Sequence, residues 1–161
     1  MRKQLGMAQF LFCALVLSVG CAGEGAWQIL KQDNRWMAQI TRMNLGPDEY
    51  FEGEYKYGPQ KESDRFVWVH LNLTNQTGSA IQWDHTKVVL KSTDSSQDPF
   101  RVLKTDGMNQ SPIKETESIP AGASVQRILI FSFPRSAEPE SIVLGPLGQT
   151  EIPESILFNY Q

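Results

Sequence analysis

Two cysteines, two histidines and one acidic, aromatic run hold the chemistry open to this 161-residue chain. His70 and His85 are too few for a histidine-built metal cage. Neither belongs to a catalytic pattern, since Gly-x-Ser-x-Gly and His-Glu-x-x-His are both absent. Asp84 directly precedes His85, but neighbouring strand residues point to opposite sides, so Asp84 is badly placed to orient that imidazole in a triad. Asp94 and Asp98, with Ser95, Ser96 and Gln97 between them, offer oxygen ligands of a calcium-compatible kind. The glycine of an EF-hand bend is missing, and Thr105 stands where its closing Glu belongs. The segment therefore reads as a solvated connection, and the sequence assigns no catalytic residue, no metal ligand and no cofactor.

From Asp48 to Tyr57, four rings (Tyr50, Phe51, Tyr55 and Tyr57) interleave with Asp48, Glu49, Glu52, Glu54 and Lys56. Aromatics with polar edges are good contact residues. The run is either a recognition element for a protein or glycan partner or, the preferred expectation, a hairpin laying its rings on the domain. Trp68 and His70 share one side of their strand and offer a shallow surface for a small-ligand or metal carrier. Covering by the 46–64 segment would instead make Trp68 a second core residue. Glu52, Glu54 and His70 are the candidates if the protein is an envelope enzyme.

Cys21 follows Met1-Arg2-Lys3, an apolar run from Phe10 to Leu17, and Ser18-Val19-Gly20. A membrane-spanning helix needs about 20 apolar residues; Leu5 to Val19 is shorter, contains Gln9, and carries its positive charge only at the N-terminal end. That is the layout of a signal peptide. Val19-Gly20-Cys21 resembles the bacterial lipoprotein motif, which implies a lipid attached to Cys21. Ser18 departs from the motif's usual Leu, and Leu17 lies one place upstream. Ordinary cleavage near Gly20 or Ala22, with release of a soluble protein, is the competing reading. Ala22 in place of Asp implies, by the same resemblance, the periplasmic face of an outer membrane in a Gram-negative host. In a Gram-positive host the anchor would sit on the outer face of the cell membrane.

Cleavage removes Arg2 and Lys3, taking the formal charge from −3 to −5. Such a domain is a poor partner for nucleic acid. Cys13 lies in the discarded segment and Cys21 is used by lipid, so the domain has no thiol for a disulfide or metal site. About 140 residues remain, enough for one domain with a real core. The expected organisation is a signal peptide over 1–20, a lipidated cysteine and tether over 21–34, and one domain over 35–161.

The elements that must position these groups read as strands. Val67, Val69, Leu71 and Leu73 alternate with Phe66, Trp68, His70, Asn72 and Thr74 up to the turn at Asn75-Gln76-Thr77-Gly78. Trp36, Ala38 and Ile40 alternate with Met37, Gln39 and Thr41, and the stretch before Asn34 is expected to be helical or irregular. Ala80–Trp83, Thr86–Lys91 and Phe100–Leu103 are short strands, with Val88 and Leu90 pointing inward. Lys104–Ser118 is a polar exposed loop, and Ile119–Gly122 a turn with Pro second and Gly fourth. Ser124–Phe133 is apolar on both faces and reads as a buried strand, and Ser141–Leu144 as the final one. Many short strands with almost no helix argue for an antiparallel β-sandwich.

Phe66-Val67-Trp68-Val69-His70-Leu71-Asn72-Leu73-Thr74-Asn75, followed about fifty positions later by Ile119-Pro120-Ala121-Gly122-Ala123-Ser124-Val125 and Ile130-Phe131-Ser132-Phe133-Pro134, resembles the telokin-like immunoglobulin-fold domains of bacterial secreted proteins and lipoproteins. The resemblance covers roughly residues 36–145 and implies an immunoglobulin-like fold with no shared catalytic residues. The resulting expectation is a membrane-tethered, non-catalytic module that binds an envelope protein partner or serves a larger assembly.

Overall fold

The computed structural model describes residues 27–30, 35–106, 109–113, 116–145, 149–151 and 157–159. Cys21, the expected signal segment and positions 31–34 lie outside the described residues. In chain order the strands are β1 (Trp27–Leu30), β2 (Trp36–Leu45), the hairpin β3 (Tyr50–Glu52) and β4 (Tyr55–Tyr57), β5 (Asp64–Asn75), β6 (Ile81–Asp84), β7 (Val88–Lys91) and β8 (Ser96–Gln97). They continue as β9 (Pro99–Asp106), β10 (Asn109–Pro112), β11 (Thr116–Ile119), β12 (Ser124–Pro134), β13 (Ser141–Leu144), β14 (Gln149–Glu151) and β15 (Leu157–Asn159).

Unbroken alternation makes β5 the spine of a large antiparallel sheet ordered β1-β2-β5-β12-β9-β10. β15 adds one parallel pairing to β2 at Met43–Leu45, beyond the stretch taken by β1. One side of β5 buries Val67, Val69, Leu71 and Leu73. In β2 the alternation holds through Ile40, and then a bulge at Thr41 inserts one residue. The bulge returns Met43 and Leu45 to the face that holds Trp36, Ala38 and Ile40. β12 is buried at every position from Arg127 to Phe133, as a central strand covered on both faces must be.

The second layer is the sheet β14-β13-β7-β8 together with the pair β11-β6. Its Trp83, Val88, Leu90, Ile119, Ile142 and Leu144 meet the aliphatic face of the large sheet in one continuous core. Burying a Leu, Val or Phe side chain contributes about 1.5–3 kcal/mol, so this face supplies most of the cohesion. The architecture is an all-β, antiparallel sandwich, as the immunoglobulin-like expectation required.

Several local expectations are corrected. Trp27–Leu30 is a strand, because the open edge of β2 offers it a ladder from Trp27–Ile40 to Leu30–Met37. The polar stretch after Lys104 is mostly strand too: β9 runs to Asp106 and pairs with β10, and β11 pairs with β6. β10 lies at the sheet's edge, and its Asn, Gln and Ser resemble a loop in composition. A 3-10 turn at His85–Lys87 separates β6 from β7, and β14 and β15 follow the strand expected to be last. The Pro-Gly turn closes one residue later than expected, with Ala123 N donating to Pro120 O at 3.1 Å. That places Gly122 third in the turn, where its φ of 67° requires glycine.

Candidate functional site: the aromatic face and its hairpin

The outward side of β5 begins with Phe66, Trp68 and His70. Across the sheet, Trp68 stands beside Asn44 and Ile130, and His70 beside Arg42 and Ile128. A second bulge, in β9, falls between the Ile130–Arg101 and Phe131–Pro99 pairings. It brings Phe100 and Arg101 to this same face, where the Arg101 guanidinium lies 4.7 Å from the Phe100 ring centre. Tyr50, Phe66, Leu103, Ile128 and Ile130 are buried here, with Tyr57, Trp68 and Phe100 packed against them.

β3 and β4 cover this face. They are joined by the two-residue loop Gly53-Glu54, with Gly53 at φ 62°, a value primed hairpin turns use. Tyr50 stacks on Tyr57 at 5.9 Å and meets Trp68 edge-on at 6.1 Å; Tyr57 in turn contacts Phe100 at 5.9 Å. Three-residue strands are too short to hold themselves in water, so the hairpin depends on ties to the sheet. Arg101 supplies two, lying 5.2 Å over the Tyr57 ring and donating from Nε to the Glu52 carboxylate at 3.2 Å. Asp48 supplies two more, accepting from the Phe66 amide at 3.0 Å and pairing with Arg135. The Trp68 indole donates to Pro47 O at 3.1 Å. Downstream, the Gln60 amide donates to Ser132 Oγ at 2.8 Å, and that hydroxyl donates to the buried Asp64 carboxylate at 2.9 Å. Burial, then the Glu52 carboxylate, push the Tyr50 phenol above its ordinary pKa.

The expected hairpin is present, but only half its rings lie inward. Tyr50 and Tyr57 pack on the sheet, whereas Phe51 and Tyr55 are 59% and 73% exposed. Trp68 is a second-core residue rather than a bare binding surface. The enzyme candidates have separate surroundings: Glu52 is held by Arg101, Glu54 stands exposed on the hairpin loop, and His70 borders a hollow of about 80 Å³ with Thr41, Thr105, Gln126 and Arg127. Burial, then the Arg42 guanidinium, hold the His70 imidazole below its usual pKa.

His85 is buried and packs its ring 5.9 Å from Trp83. The Asp84 carboxylate accepts from the Thr86 amide at 3.1 Å and caps the 3-10 turn. The Thr86 hydroxyl, bonded to the same carboxylate, holds the Asp84 carboxyl below its ordinary pKa. Asp94 sits in the tight connection between β7 and β8, closed by Ser92 N donating to Ser95 O at 2.9 Å. Among the described residues no group of three or more His, Cys, Asp or Glu could hold a metal ion. An open hollow of about 260 Å³ lies by His85, Asp98, Phe100 and Arg101, below the 300–1,000 Å³ range of small-molecule pockets.

Residue-type reasoning did not single out Arg101; the signal available was a lone cation inside the apolar stretch Phe100–Leu103. The role of Asn75 was also missed. It is fully buried, and its amide nitrogen lies 2.8 Å from Ser79 O, 3.0 Å from Ile119 O and 3.0 Å from Pro120 O. Its Oδ1 accepts from the Thr77 amide and hydroxyl at 2.9 and 2.8 Å. Asn75-Gln76-Thr77 is thus an Asx turn that joins the β5–β6 and β11–β12 connections. Arg127, bonded through Nε to Glu117 at 2.7 Å, likewise links β12 to β11.

No protein-family model and no curated protein matches the chain. Two solved structures are similar in outline. One is the secreted protein MPT63 of Mycobacterium tuberculosis, 7% identical, covering 75% of this chain and 84% of its own, with a TM-score of 0.45. The other is an uncharacterized β-sandwich protein of Clostridium difficile 630, 9% identical, covering 72% and 81%, with a TM-score of 0.46.

Proposed function

We propose that this chain is an exported envelope protein, held to a bilayer by lipid on Cys21, whose telokin-like immunoglobulin domain acts by binding or as an accessory part of an assembly, not by catalysis. The observation that carries the reading is the closed second face. The carboxylates and rings that an active site there would use are spent on fastening the hairpin, Glu52 to Arg101 and Asp48 to Arg135. What stays exposed is a pair of rings, Phe51 and Tyr55, on opposite sides of the hairpin. Rings held on a firm base suit contact with another surface, and an acylated Cys21 would keep them at the membrane, since more than one acyl chain gives stable anchoring.

Cys21→Ser tests the anchor. The variant should fold as the wild type does, lose the diacylglyceryl mass at its amino terminus, and move from the membrane pellet to the soluble fraction. Retention in the pellet, or a native amino terminus that is unmodified and lies elsewhere, would overturn it.

A further inference from the structure

The hairpin covers only the Phe66–Trp68 end of the large sheet's outward face. Beyond His70 that face stays open, and one row of uncharged polar side chains crosses it at right angles to the strands. Register sets Gln39 opposite Asn72 and Asn72 opposite Gln126. Continuing the Arg127–Lys104 pairing by one residue brings Gln126 beside Thr105, which stands opposite Gln110. Asn72 projects outward, because Leu71 and Leu73 fill the sandwich core, and residues opposite one another share a side. Gln126 and Gln110 are exposed; Gln39, Asn72 and Thr105 are half-buried. None of the five side chains has a hydrogen-bond partner among the described residues, whereas in the next row the Thr74 and Ser124 hydroxyls bond each other at 2.8 Å. A face that merely meets water is free to carry Lys and Glu; this row carries four carboxamides and a hydroxyl. Neighbouring strands lie about 4.8 Å apart, so the row spans about 19 Å. That spacing falls within half an ångström of the advance per sugar along an extended β-1,4-linked glycan. Each carboxamide offers both donors and an acceptor, as sugar hydroxyls require. Beside the row, Thr41, His70, Thr105, Gln126 and Ile128 border the hollow of about 80 Å³, which has room for an acetamido group but not for a sugar ring.

We infer that this row is a binding site for an extended β-1,4-linked glycan bearing N-acetyl groups, its sugars stepping from strand to strand over the carboxamides with one acetamido group seated in the hollow. A nucleic acid or an anionic bilayer finds no cation in the row. A peptide strand pairs with an open backbone edge, not with a sheet face. The inference deepens the binding reading above by naming a ligand class, at a place separate from Phe51 and Tyr55, and it does not rest on the lipid.

Calorimetric titration of the purified full-length chain with N-acetylglucosamine oligomers, from dimer to hexamer, tests it. Affinity should rise up to the pentamer and then level off, hold in added salt, and fall for cellopentaose, which lacks the acetamido groups. Asn72→Ala/Gln126→Ala should weaken pentamer binding about tenfold with the thermal midpoint kept. Gln110→Ala, on the exposed edge strand and so harmless to the fold, should abolish the gain from tetramer to pentamer. No binding of the pentamer, affinity that stops growing at the dimer, equal binding of cellopentaose, or wild-type affinity in both variants would each overturn the inference. So would loss of binding on Phe51→Ser/Tyr55→Ser, or a wild-type dimer that Asn72→Ala/Gln126→Ala dissociates, which would give the row to a second copy. Pelleting with purified peptidoglycan sacculi makes the cell wall the source of the glycan and pelleting with chitin alone a foreign polymer; either result supports the site. Two outcomes separate the proposals: unchanged affinity in Cys21→Ser keeps the site even if the anchor fails, and cleavage of the bound oligomer would refute the non-catalytic reading while supporting the site.

Discussion

The two faces of the large sheet are built by different physics. The sandwich face is mostly aliphatic, with Trp36, Phe131 and Phe133 among its side chains, is contributed by long strands, and is filled from a whole second layer. The opposite face is rich in rings and covered by six strand residues, held by ring contacts, two arginines and a few directed hydrogen bonds. Burial on the first face is non-directional and distributed, so no single contact decides it. On the second, a small number of oriented contacts decide whether the cover is on at all.

Substitutions can break that contrast, and the largest effect belongs to the sandwich face. Phe131→Ala empties a fully buried site and should cost about 4 kcal/mol in chemical denaturation, with the whole domain unfolding together. A loss confined to the hairpin would contradict the division of roles. Asn75→Ala comes next. It takes the Asn75 donor from the buried Ile119 carbonyl and undoes the Asx turn, so about 2–3 kcal/mol should be lost by the same measurement.

His70, at the rim of the aromatic face, gives the smallest effect and the most specific one. Its folded pKa is depressed, so folding favours the neutral imidazole. The unfolded chain then binds the extra proton first, and stability falls as pH drops from about 6.5 toward the folded value. His70→Gln should remove this component. The wild-type midpoint minus the variant midpoint should decline on acidification below neutrality and stay level above it.

The sandwich face was largely legible in the residues, because period-two alternation from Val67 to Leu73 states its geometry directly. Even the β2 bulge leaves a trace, since the apolar spacing widens from two to three between Ile40 and Met43. The hairpin's existence was legible in its clustered rings. Which rings turn inward was not, because that depends on Phe100 and Arg101, more than forty positions away in the chain. β10 was missed for the opposite reason: this edge strand carries no apolar pattern. Asn75 was visible as a turn residue, but its bonds to the β11–β12 turn are tertiary and carry no local mark.

Hydrogen exchange at the amides of residues 50–57 tests most directly whether the second face is closed by a locked hairpin. In the wild type these amides should be protected well beyond unstructured rates. Arg101→Ala, which removes both the Tyr57 contact and the Glu52 pair, should release them while leaving the amides of β5 and β12 protected. Unstructured exchange rates across 50–57 in the wild type would contradict the account.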